Sequence, residues 1–393
     1  MLQRDRNFYD LVGKGLASLG FTGNDAFNLW VEDTFAEKYN AEEIYSQMGF
    51  PMNPNIPISP TYSQIEAAFN IYSMATYVDI DSDGATKSTE GMELKQGGLP
   101  TFKHEIPISR KIMREMMALA ERIGGVDEQI ENTVMRLLFN SVDKLLGGNY
   151  NTMRYQRHQI VSNEGKLVID ATNNPLGTSL TIDFGVPKKN KFTDKWYLVD
   201  ANGTVTDKTD TAAVDPIKRM KDIKKNAENK DFAPEGHWEV SKSTWDILVD
   251  LPYFRKQWAL SVNPDADESN LLAYGNLQDD DTIKKFIEKR VGAPIVVVDA
   301  IAEVEKKGER VTLKSFNDGV LVYVPNEDLG DVQFGRPIFS VSSASRAALY
   351  DGGRTLLLQH FNDETMTQVI KSEVTGLVVP NKTRWFYYLH VDY

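Results

Sequence analysis

The sequence predicts an α+β protein. Residues 127–148 repeat apolar side chains at helical spacing, the strongest local pattern in the chain. After them the period shortens to strand-like runs separated by turn residues. Two proline- and glycine-bearing stretches, 49–60 and 91–108, fit neither period and read as extended chain.

Taken from the N-terminus, residues 1–60 are rich in aromatics and asparagine and lack a long repeat. They end in "GFPMNPNIPISP", where Pro51, Pro54, Pro57 and Pro60 fall within ten residues. Proline sets φ and removes a backbone donor, so this segment is expected to be an extended arm lying on something else. A short helix is expected near "DTFAEKYNAEEIYSQMG". "SQIEAAFNIYSMATYV" predicts another, with Ser63 and Glu66 as a capping box and Ile65, Ala68, Phe69 and Tyr72 on one face. Residues 78–108 predict a long excursion in the manner of a two-stranded flap.

Two helices are expected next. In "SRKIMREMMALAERIGG" the apolar positions are Ile112, Met113, Met116, Met117, Ala120 and Ile123. In "DEQIENTVMRLLFNSVDKLLGG" they are Ile130, Val134, Leu137, Leu138, Val142, Leu145 and Leu146. Asp127 suits the N-cap, and Gly147 is expected to stop the helix. Strands follow in "RHQIVSNEGKLVID", "SLTIDFGVP" and "KWYLVDANGTVTDK", the last with an Asn202-Gly203 turn. "DPIKRMKDIKKNAEN" is a helix capped by Asp215 with Pro216 in its first turn. "DDTIKKFIEKRVG" is another, ending at Gly292. Strands then flank turns at Lys307-Gly308 and Asp318-Gly319, and "VTGLVVP" and "RWFYYLHVDY" close the chain.

Composition narrows the chemistry. The 393 residues carry a formal net charge of −12, the wrong sign for a protein that grips nucleic acid by neutralising phosphates. There is no cysteine, hence no disulfide, thiolate ligand or cysteine nucleophile. The N-terminal residues are too charged for a secretion signal, and no apolar run reaches the length of a membrane span. The phosphate-loop, dinucleotide, nucleophile-elbow and zinc-helix motifs are all missing. His104, His158, His237, His360 and His390 lie far apart, without ligand spacing.

One motif invites a ligand. "DIDSDGATKSTE", residues 79–90, fits the alternating-carboxylate template of a calcium loop. Asp79, Asp81, Asp83, the Ala85 carbonyl and Glu90 would supply the oxygens, and Gly84 the sharp turn. Against this, Thr86 replaces the usual aliphatic residue, Lys87 brings a cation, and "GMELKQGGLP" offers no exit helix. Two alternatives stay open: a calcium site, or an exposed acidic loop with no cofactor.

Five segments in fixed order carry a resemblance. They are "VDEQIENTVMRLLFNSVDKLLGG", "KLVIDATNNPLGTSLTIDFGVPKKNKF", "DKWYLVDANGTVTDKTDTAAVDPIKRMKDI", "GHWEVSKSTWDILVDLPYFRK" and "GDVQFGRPIF". The series resembles the major capsid proteins of tailed double-stranded DNA bacteriophages, the lambda type within the Hong Kong 97-like fold. The inserts around 186–212 and 262–280, and the acidic flap, depart from that family.

The resemblance implies a Hong Kong 97-like fold in five parts. These are an N-terminal arm (1–60), a short helix and E-loop flap (61–108), and a spine helix with peripheral-domain strands (109–214). An axial domain (215–345) and return strands of the peripheral domain (346–393) complete the chain. It further implies a structural protein and not an enzyme. Such a subunit self-assembles into hexamers and pentamers of an icosahedral shell in the host cytoplasm and resides in the virion. Its partners would be its own copies, with portal, scaffold and decoration proteins, and DNA held by enclosure; no membrane is implied. The alternative reading is a calcium-binding module, using 79–90, on a non-viral soluble protein.

Overall fold

Short helices built from aromatic residues open the chain in the computed structural model. It describes residues 8–67, 92–108, 111–112, 114–115, 118, 127–174, 177, 179–199, 205–207, 215–231, 233–306, 309–337, 346–362 and 367–392. The chain divides into two compact units. Unit 1 is Met1–Ser63, Gln96–Arg154 and Asp331–Val379, and unit 2 is Gln64–Lys95, Tyr155–Gly330 and Pro380–Tyr393. Neither unit is continuous in sequence.

Unit 1 begins with α1 (Phe8–Ser18), α2 (Ala26–Phe35) and α3 (Ala41–Gln47). Asn40 caps α3 by accepting from the Glu43 amide. The expected arm is thus folded over most of its length. Leu11, Val12, Leu16, Phe27, Trp30, Val31 and Phe35 share one buried core with Val134, Leu138, Val142 and Leu145 of the long helix described below. α3 falls within the helix expected near "DTFAEKYNAEEIYSQMG"; periodicity hid α1 and α2 because they are short and are separated at Gly20 and Gly23, whose φ values of +91° and +90° favour glycine. The proline-rich stretch is extended, as expected, but it docks on its own unit. The Val332 amide donates to Pro51 O (3.0 Å), Asn53 N to Val332 O (2.9 Å), and Arg336 N to Pro57 O (3.1 Å).

The helix expected from Ser63 is replaced, over its described part, by strand β1 (Thr61–Ala67). Ser63 cannot cap, because its backbone is already bonded. Its N–H donates to Gln333 Oε1 (2.9 Å) and its carbonyl accepts from Gln333 Nε2 (2.8 Å). β1 pairs with β2 (Met92–Gly98), forming a two-stranded ladder at the base of the expected flap. Residues 68–91, and with them the acidic loop, lie outside the described residues. Strand β3 (Thr101–Ile108) follows.

The long helix α4 (Asp127–Ser162) has 36 residues and does not stop at Gly147. A Cβ at Gly147 would sit 3.0 Å from the Tyr39 hydroxyl, and one at Gly148 would sit 2.6 Å from the His104 ring. These glycines admit neighbouring side chains; mid-helix they each cost about 0.5–1 kcal/mol relative to alanine. The helix ends instead at Glu164 (φ +53°) and Gly165 (φ +75°), where Gly165 N donates to Ile160 O (3.0 Å). "RHQIVS", expected as strand, is therefore its last turns.

The unit 1 sheet has the order β13 (Gly330–Gly335), β16 (Thr367–Pro380), β15 (Thr355–Asn362) and β14 (Arg346–Tyr350), with β3 also on β16. Unit 2 holds the small ladder of β4 (Lys166–Ile169) with β5 (Leu180–Asp183). Its main sheet has six strands in the order β7 (Val205–Asp207), β6 (Lys191–Val199), β17 (Tyr387–Asp392), β12 (Val320–Pro325), β8 (Gly236–Ser241) and β9 (Ile295–Val298). The final strand is thus interior to this sheet. Tyr388, Leu389 and Val391 are all fully buried, as a strand covered on both faces requires.

The helices of unit 2 are α5 (Pro216–Lys230), α6 (Lys242–Val249), α7 (Pro252–Val262), α8 (Glu268–Asn276) and α9 (Asp280–Val291). Asp215 caps α5 by accepting from Lys218 N, as expected. Asp279 caps α9 in the same way, and Gly292 (φ +77°) stops it. Trp238, Tyr323, Met220, Ile223, Ile283 and Ile287 are among the residues of the core between these helices and the sheet. Among the described residues, the remaining strands, β10 (Ile301–Lys306) and β11 (Glu309–Lys314), pair only with each other.

Candidate interaction surface

The polar clusters of unit 2 are closed ion-pair networks. From the last turns of α4, Arg157 grips Glu239 of β8 through both guanidinium nitrogens, with Nη1 donating to Oε2 at 2.5 Å. His237 Nε2 lies 3.2 Å from Glu239 Oε1, and its Nδ1 lies 2.6 Å from Asn326 Oδ1. Burial alone would push the Glu239 carboxyl up, but the Arg157 charge outweighs it and holds it far below the usual range. Burial alone would push His237 down, but its bond to Glu239 wins and raises it. Every charge here faces another charge, so the cluster is bracing.

A second network ties Glu164 at the turn after α4 to Lys191 Nζ (2.7 Å) and His390 Nε2 (3.0 Å). Burial opposes ionisation of Glu164, yet the Lys191 bond outweighs it and lowers its pKa. A third centres on Arg255 of α7, which is buried. Its Nη1 donates to the Gly275 and Gln278 carbonyls (3.3 and 2.9 Å). Its Nη2 donates to Asp250 and Asp280 (3.0 and 2.8 Å), so one side chain fastens α7, α8 and the start of α9 together. A Cβ at Gly275 would sit 2.5 Å from Arg255 O, so the helices meet there backbone to backbone.

The five histidines stay apart. His237 and His390 belong to the networks above, and His104 packs against Gly148, its pKa lowered by burial. Among the described residues, no group of three histidine, aspartate or glutamate side chains is placed to hold a metal ion. The proposed calcium ligands Asp79, Asp81, Asp83, Ala85 and Glu90 lie outside the described residues. Among the described residues, no helix is long and apolar enough to cross a membrane.

Among the described residues of unit 2, large apolar side chains are exposed at Val296 of β9 and in two larger groups. The first is the β10–β11 hairpin. Its register sets Ala302 opposite Leu313 and Val304 opposite Val311, so these four share one face. Nothing in the unit covers them fully: Val311 is exposed and the other three are half-buried. The second is the knob of α7 and α8, where Val262 is 64% exposed, Tyr274 49% and Leu277 78%. The alternation around Lys307-Gly308 marks the strands in the sequence. That the hairpin stands apart from both larger sheets has no local signal, since pairing partners are set by the whole chain.

No protein-family model and no curated protein matches the chain. Solved structures do. A protein described as the capsid protein of a prophage of E. coli CFT073 is 12% identical, with a TM-score of 0.48, over 91% of this chain and 98% of that one. A phage-related protein from Bordetella bronchiseptica RB50 is 13% identical, with a TM-score of 0.45, over 91% and 95%. The capsid of Myoviridae phage XM1 is similar at 7% identity and a TM-score of 0.43, over 88% and 91%.

Proposed function

We propose that this chain is the major capsid protein of a tailed double-stranded DNA bacteriophage, with a Hong Kong 97-like fold. The observation that carries the proposal is the order of its elements. A two-stranded flap base, β1–β2, precedes a helix of 36 residues. The segments "SLTIDFGVP", "DPIKRMKDI" and "GDVQFGRPIF" then fall on β5 and its exit, on α5, and on β13 and its exit, in the order the family resemblance requires. The polar networks brace the fold, and the apolar surface left over is of the kind that a neighbouring subunit covers.

In this role the chain makes hexamers and pentamers of an icosahedral shell around packaged DNA. It would do so in the host cytoplasm, with portal, scaffold and decoration proteins, and end in the virion. An acidic inner wall would enclose DNA without gripping it. The test is to express the chain, pass it through size exclusion with light scattering, and image the large fraction by negative-stain electron microscopy. Rings or closed shells are expected; a monomer at every concentration would end the proposal.

We further propose residues 79–90 as a calcium loop within the flap, supported by the alternating Asp79, Asp81 and Asp83 and by Glu90. Calcium should then raise the melting temperature, and replacing Asp79 and Glu90 with alanine should remove that rise. A wild-type protein indifferent to calcium would leave an acidic loop only.

A further inference from the structure

We propose that the six-stranded sheet of one copy of this chain continues into the next copy, with β9 of the first pairing antiparallel with β7 of the second. The inference rests on the capsid-subunit reading and adds to it which edges of the subunit meet.

β9 is an unguarded edge. It ends the sheet, and among the described residues no strand pairs with its outer side. Its four residues, Ile295, Val296, Val297 and Val298, include no charge and no proline, and its ladder with β8 has no bulge. Edge strands are usually blunted by one of these devices or covered. The unit 1 sheet covers its edges. There the Leu349 amide of β14 donates to Asn28 Oδ1 (2.7 Å), and Val332 of β13 bonds to Pro51 and Asn53.

The backbone shows what β9 offers. The Trp238 amide of β8 donates to Pro294 O (2.9 Å). Alternate residues of a parallel ladder bond to the same neighbour, so Val296 and Val298 also turn to β8. Ile295 and Val297 turn outward. Glu288 Oε1 accepts from the Ile295 amide (2.9 Å), which leaves the Ile295 carbonyl and both backbone groups of Val297 for a further strand.

The other end of the same sheet supplies that strand. β7 runs antiparallel to β6, and β6 parallel to β17. β17 and β8 each run antiparallel to β12, and β9 parallel to β8. β9 therefore runs opposite to β7. A copy set alongside in the same orientation brings its β7 to β9 as an antiparallel pair. The core matches as well. Val205 of β7 and Val297 of β9 both pack against the core beneath the sheet, and both are only half-buried. Joining the two edges places these valines on one face, where each covers the other. Two β9 strands facing one another would instead close a dimer and leave Val205 uncovered. Two different edges make a heterologous contact, the kind that closes rings.

The test uses full-length chains and the absence of cysteine from the sequence. With Val205→Cys and Val297→Cys in one chain, oxidation under assembling conditions should give a ladder of covalent multimers that reductant collapses. Either cysteine alone should give monomers on the same gel. A further variant, Val297→Pro, removes the outward N–H. Proline is tolerated where an edge strand's N–H faces solvent, so the subunit should melt like wild type. The concentration it needs for ring assembly should rise by at least about tenfold. If the proline variant fails to fold, the cysteine ladder decides. Rings of the double-cysteine chain that give no ladder would overturn the proposal, while wild-type rings uphold the subunit role. So would a covalent dimer from Val297→Cys alone, or a folded proline variant that assembles like wild type. A wild type that forms no rings would overturn both.

Discussion

Replacing Glu239 with alanine should destabilise unit 2 by about 3–5 kcal/mol, read as a lower urea midpoint at unchanged slope. Glu239 is 1% exposed and sits on β8, the neighbour of β9 at one edge of the six-stranded sheet. Its removal takes the two-point carboxylate partner from the Arg157 guanidinium, whose side chain is only 12% exposed. The double replacement Arg157→Met with Glu239→Leu should cost much less, since it leaves no charge behind. Equal losses in the single and double variants would mean that packing, not charge, accounts for the effect.

The same network predicts a pH window. Glu239 has a depressed folded pKa, so its contribution is full above the ordinary 4.5 and is lost as the pH falls below it. His237 has a raised folded pKa, so its contribution is full below the ordinary 6.5 and is lost as the pH rises through the folded value. The stability gap between wild type and the double replacement should therefore be widest between pH 4.5 and 6.5. A gap that does not narrow as the pH rises above 6.5 would show that the histidine takes no part.

Replacing Phe35 with alanine should destabilise the isolated subunit by about 3–5 kcal/mol. Phe35 is fully buried. Its ring lies 5.0 Å from Phe139 of α4, stacked, and 5.8 Å from Trp30, edge-on. The Tyr350 hydroxyl donates to its carbonyl (3.0 Å), a bond that alanine would keep, so the loss reports the ring. An N-terminal arm reaching to a neighbour would behave differently: the substitution would be silent in the subunit and felt only on assembly. Melting of the unassembled chain with and without the substitution separates the two.

Local chemistry made several elements legible in advance. Asp215 with Pro216, and Gly292, mark helix ends because a cap bonds to amides three residues away and a left-handed stop needs only its own φ. The seven apolar positions of residues 130–146 announce α4 for the same reason, and Val134, Leu138, Val142, Leu145 and Leu146 are indeed buried. Where a glycine's partner came from elsewhere, the local reading failed. Gly147 and Gly148 looked like a stop, but Tyr39 and His104 occupy the space beside them.

The interaction surface was legible only as strands. The turn at Lys307-Gly308 is plain in the sequence. Which ladder the hairpin would join, and which face would be left uncovered, are not, because strand partners are chosen over separations of tens to hundreds of residues.

By itself, then, the sequence determined the α+β class, the capped helices, the alternating strands and the ordered segments that resemble the phage capsid family, since each depends on neighbours within a few residues. Tertiary structure alone decided that residues 8–47 belong to a core, that β17 lies between β6 and β12, that Arg157 meets Glu239, and that β10–β11 stands free. Those outcomes depend on buried contacts between distant segments, whose free energy appears only once the chain has closed on itself.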